Sequence, residues 1–150
     1  MNRKWIVAIA TMFSFSALVA GLSVADEGGP LHDLMEKVNV KNGAIKKATR
    51  SKVNYAKAQK ELPALVEELV KLSKDAKELS KDAVKKAKNV KDAEKQWAEL
   101  SDAFTKELEK FHVKVSDTKT NAEQAKSAYS PVSQSCTKCH DVFRVEEDGF

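Results

Sequence analysis

Two cysteines three residues apart, with a histidine directly behind the second, are the side chains here best suited to chemistry: Cys136-Thr137-Lys138-Cys139-His140. They are the only 2 cysteines among 150 residues. On a helix, side chains three apart leave on the same side. Both thiols can therefore reach the two vinyl groups of one porphyrin, and the adjacent imidazole swings under the iron. This spacing is the attachment signature of a c-type haem. It implies one covalently attached haem c, with Cys136 and Cys139 as thioether donors and His140 as proximal iron ligand. Other uses of the pair fit less well. A structural zinc site needs four protein ligands, and His32 and His112 are the only further histidines. Thioredoxin-like chemistry places its pair after a strand, and a disulfide between residues i and i+3 of a helix is strained. A helical adaptor with a redox-active cysteine pair is the non-haem alternative.

The other face of a haem iron takes His, Met, Cys or Tyr, or stays open. With both cysteines committed, the candidates are Met35, His32 and His112. Met35 lies in an apolar helical stripe, where methionine also serves as core filler. His32 sits one turn earlier on nearly the same face. His112 falls one residue off its seam, as a partly exposed surface histidine would.

The elements that must position these residues read as helices. With only 5 Gly and 3 Pro, 42% hydrophobic and 32% charged residues, the chain has too little punctuation for an all-β fold. Its polar majority favours helix. Leu31, Leu34, Met35, Val38, Ile45 and Ala48 line one face of a first helix. A second stripe runs from Leu62 to Leu79, with Pro63 either opening it or kinking a longer helix from near Ser51. In the third, Val90, Trp97, Phe104 and Phe111 recur every seven residues, the seam of helices packing at a shallow angle. Asp117-Thr118 and Thr120-Asn121 supply caps for a fourth, where Ala122, Ala125, Val132, Cys136, Cys139 and Phe143 keep helical spacing. Pro131 predicts a kink or a late start in that helix. The Lys-rich stretch Ser73 to Lys95 reads as a solvated helix end plus crossover loop, or as a positive docking patch for an acidic partner. The tail Glu146 to Phe150 reads as frayed. The fold class expected is all-α: an antiparallel up-down four-helix bundle with the haem on its C-terminal helix.

Residues 1–25 stand apart. Arg3 and Lys4 precede an uncharged run from Trp5 to Leu22, and Ser23-Val24-Ala25 offers the small residues that a signal peptidase reads. This is a secretory signal peptide, or, if uncleaved, a membrane anchor. The domain is then 26–150, exported to the periplasm, with no membrane contact after cleavage. Losing Arg3 and Lys4 lowers the net charge from +4 to +2, so the nominal pI of about 9.0 does not signal a nucleic-acid partner. No Ser/His/Asp set, phosphate loop, paired-carboxylate pocket or HExxH motif is found, so an enzyme is not expected.

The run Ser135-Cys136-Thr137-Lys138-Cys139-His140-Asp141-Val142-Phe143-Arg144 resembles the C-terminal haem helix of the class II cytochromes c, the cytochromes c′ and their low-spin relatives. Leu34-Met35-Glu36-Lys37-Val38, followed by Gly43-Ala44-Ile45-Lys46, is similar to the first helix of the low-spin members. In those a methionine ten residues before the Ala-Ile aliphatic is the sixth ligand, an interval that Met35 and Ile45 keep. The resemblance implies an exported four-helix bundle with Met35 as distal ligand, and a site for Arg144 near a haem propionate or the proximal face. An exposed helix-end cation is the other reading of Arg144. Many members carry an arginine before the distal position, where Gly29-Pro30-Leu31-His32 has none. Two functions follow: an electron carrier with His140/Met35 ligation and a redox partner protein, or a five-coordinate, gas-binding or sensing protein of the cytochrome c′ type. Pairing of two bundles into a homodimer stays open.

Overall fold

The computed structural model describes residues 29–87 and 90–144. The expected signal peptide 1–25 and the tail 146–150 lie outside the described residues. Among those, every regular element is helical: α1 (Gly29–Thr49), α2 (Lys52–Ala58), α3 (Leu62–Glu78), α4 (Ser80–Lys86), α5 (Ala93–Ser116) and α6 (Ala122–Phe143). The four long helices pack α1 on α3, α3 on α5, α5 on α6 and α6 back on α1. They form the up-down-up-down bundle that the stripes predict.

Of the two alternatives at Pro63, the structure takes the first: Pro63 opens its helix and does not kink a longer one, because α2 ends at Ala58 before α3 begins. Ser51 caps α2, its hydroxyl accepting from the Asn54 amide at 3.2 Å. Pro63 then sits in the first turn of a separate α3, where its missing amide costs no helix bond. Three readings change with the structure. The crossover after α3 is not plain loop: the chain breaks at Leu79 (φ −91, ψ 26) and re-forms as α4. The heptad run starts inside α5 only from Trp97, because α5 begins at Ala93 and Val90 precedes it. And α6 does not start late at Pro131. Asn121 caps it with a reciprocal box, its side chain accepting from the Glu123 and Gln124 amides while Gln124 accepts from the Asn121 amide. The helix then runs through Pro131, which is exposed. The carbonyl of Ser127 that loses its partner there also belongs to an exposed residue, where water can take the bond.

The main core fills the half of the bundle toward the α5–α6 turn. Ile45, Leu62, Val66, Leu69, Leu108, Phe111 and Val132 are fully shielded there. Polar ties close the same end: the Tyr55 hydroxyl donates to the Thr120 carbonyl at 3.0 Å, and Thr120 Oγ1 donates to the Lys114 carbonyl at 2.7 Å. Between α3 and α5, the hydroxyls of Ser73 and Thr105 meet at 2.9 Å, so a buried serine is satisfied.

Candidate functional site

The opposite half of the bundle holds a second, smaller cluster. Ala83 of α4, Trp97 of α5 and Phe143 of α6 are buried together. The Trp97 and Phe143 rings meet edge-to-face at 5.1 Å and 86°, a favoured aromatic geometry. Trp97 Nε1 donates to the Lys77 carbonyl at 3.3 Å, which anchors the indole to the end of α3. Half-buried apolar side chains ring this cluster, among them Leu31 and Met35 from α1, Ala87, Leu100, and Cys139 of α6.

Cys136 and Cys139 stand one turn apart on α6, both half-buried and both free thiols. Burial pushes both thiols up, Cys139 to about 11 with a further contribution from Cys136. Both are therefore protonated at neutral pH. His140 lies on the exposed side of the helix. Partial desolvation first, then the Arg144 cation, lowers its imidazole below the ordinary range, against the opposing pull of Asp141. The ring thus favours its neutral, lone-pair-bearing form, which metal ligation requires. Two thiols on one helix face, a neutral imidazole beside them and an adjoining aromatic and aliphatic cluster fit a covalent haem.

The three candidates for the opposite side of the iron separate in space. Met35 is half-buried and packs on both the main core and the Trp97–Phe143 cluster, so it joins the cysteine end of the bundle to its middle. His32 lies one turn nearer the α1 start, in an i,i+4 pair with Glu36 at 3.6 Å. His112 is far from the cysteines, next to Phe111 at the turn end of α5. There it adds, after Lys71, to the charges holding the Glu67 carboxyl below its usual range. Arg144 is exposed and ends α6, its amide donating to the His140 carbonyl at 3.0 Å.

Sequence reasoning missed α4 as part of this end. The available signal was the i,i+4 spacing of Ala83 and Ala87 inside a Lys-rich stretch, a small-residue face that helix packing accepts.

The family model described as Cytochrome C' matches residues 32–144. No curated protein and no solved structure matches the chain. All four long helices fall wholly or almost wholly within the matched span, and the chain belongs to the cytochrome c′ family. Members bind covalently attached haem c with its iron, so this chain is a c-type haem protein. Among the described residues, no helix is long and apolar enough to cross a membrane.

Proposed function

We propose that the chain is an exported, periplasmic electron carrier, not an enzyme, that serves a redox partner protein. In this reading Cys136 and Cys139 form the thioethers, His140 is the proximal ligand and Met35 the distal one. The observation that carries it is the packing of Met35 of α1 and Cys139 of α6 on one apolar cluster. A haem held by the attachment helix would then share that cluster with the Met35 side chain. When bound, the haem supplies a one-electron couple between ferrous and ferric iron. His140 and Met35 would hold the iron, and the apolar Trp97, Phe143 and Leu31 would keep water from one wall of the site, which keeps reorganisation small. Burial and the thioether ligand set the potential.

A five-coordinate, gas-binding protein is the second reading, favoured by the match to the cytochrome c′ family. Met35 would then be packing alone. Absorption spectra of the oxidised and reduced holoprotein separate the two. The carrier is expected to show a methionine–iron charge-transfer band when oxidised, lost in Met35→Ala with conversion to a high-spin or water-ligated iron. A high-spin wild-type spectrum with ready carbon monoxide binding, unchanged by Met35→Ala, would reject the carrier.

A further inference from the structure

The seam between α1 and α6 is the most sparsely packed of the four between long helices, yet it joins the methionine-bearing helix to the cysteine-bearing one. One side-chain hydrogen bond crosses it among the described residues: the Tyr129 hydroxyl donates to Asn42 Oδ1 at 2.6 Å. Tyr129 is buried, its ring tilted against Phe111 at 5.7 Å, so the donor is held by the main core.

The register this bond sets is informative. Helices α1 and α6 run antiparallel, since Leu31 and Met35 share a cluster with Cys139 and Phe143. From Asn42, two turns toward the α1 N-terminus lead to Met35. From Tyr129, two turns toward the α6 C-terminus lead to Cys136. Both steps are seven residues, about 10.5 Å of rise, and both point toward the same end of the bundle. Met35 and Cys136 therefore stand level, with the Asn42–Tyr129 bond as the shared reference below them.

We propose that Asn42 and Tyr129 are positioning residues, whose hydrogen bond fixes the axial register of α1 against α6 and with it the reach of the Met35 sulfur toward the haem iron. The inference rests on the reading of Met35 as distal ligand. Helix–helix slippage along a thinly packed seam meets little side-chain resistance, and a one-residue slip moves the sulfur by about 1.5 Å, enough to lose an iron–sulfur bond. A directional bond to a core-held tyrosine resists that slip where apolar contact does not.

The test is titration of ferric holoprotein with imidazole, which must displace Met35 to bind, followed by the methionine–iron band. Tyr129→Phe keeps the ring and removes the donor. It is expected to raise the apparent imidazole affinity about tenfold, the order of one net buried hydrogen bond. Asn42→Ala should do the same from the other helix, while Asn42→Asp, which keeps an acceptor oxygen, should stay near wild type. In a Met35→Ala background the Tyr129→Phe effect should vanish, as a double-mutant cycle requires for coupled groups. Three outcomes overturn the proposal: wild-type affinity in Tyr129→Phe while Met35→Ala binds more tightly; Asn42→Asp binding imidazole as tightly as Asn42→Ala; or a Tyr129→Phe effect of equal size without Met35, which marks general loosening. Equal affinity in wild type and Met35→Ala would instead remove the ligand reading on which the proposal stands.

Discussion

At the end of the bundle where α5 turns into α6, thirteen buried apolar residues from five helices form one continuous core, tied by Tyr55–Thr120 and the Asn121 capping box. At the cysteine end the buried apolar cluster is only Ala83, Trp97 and Phe143, and the apolar residues packed around it are half-exposed. Helices α1, α5 and α6 contribute to both ends, so helix propensity does not explain the contrast. The turn end is finished by the chain's own side chains. At the other, Met35 and Cys139 belong to the unfinished ring, and on the proposed attachment a haem would be the apolar body that completes it. Burying that ring against a porphyrin adds hydrophobic stabilisation at roughly 25 cal/mol per Å². On the proposed attachment the cysteine end would draw stability from its cofactor, and the turn end would not.

The comparison can be broken or sharpened by experiment. The largest effect is expected from Phe111→Ala, which empties a fully shielded site of the main core. Denaturant unfolding of the holoprotein should show a loss of about 3–5 kcal/mol, with the haem spectrum unchanged. A spectrum that shifts with it would mean the ends are not separable. Next comes pH. Because burial raises the Cys139 thiol to about 11 from an ordinary 9.0, stability of chain prepared without haem is fully present below about pH 9. It should fall as pH rises through about 11, by up to ~2 kcal/mol. Holoprotein, its sulfurs already alkylated, should lack that loss. Tyr129, pushed up to about 12 by burial, adds a decline of the same sign above pH 10 in both forms. Equal pH curves below pH 10 would contradict the assignment of the cysteines. The smallest effect is at the cap: Asn121→Ala should cost about 1 kcal/mol in both preparations, read by thermal unfolding. A cost confined to the haem-free chain would show that the cofactor props both ends.

How much of this was legible beforehand follows from the range of each signal. Cys136, Cys139 and His140 are a local pattern, complete within five residues, and the heptad run of α5 from Trp97 is written in large apolar side chains. Helix α4 escaped because it buries only Ala83, with Ala87 just past its end, and these leave no hydrophobic signature among lysines. The late start read at Pro131 fails because the Asn121 cap sets the start of α6 and the proline faces solvent. The Asn42–Tyr129 bond joins residues 87 apart in the chain and depends on the register of two helices, which no local pattern encodes. His112 could be moved away from the site only once α5 had a direction.

Beyond Trp5 of the leader-like segment, Trp97 is the sole indole in the sequence, and it lies against the cluster that includes Cys139. A porphyrin attached at Cys139 would accept excitation energy from that indole and leave it dark. The chain thus carries its own optical gauge: fluorescence regained during unfolding, or present in immature chains, reads out how far α5 stands from the coloured group without any label added.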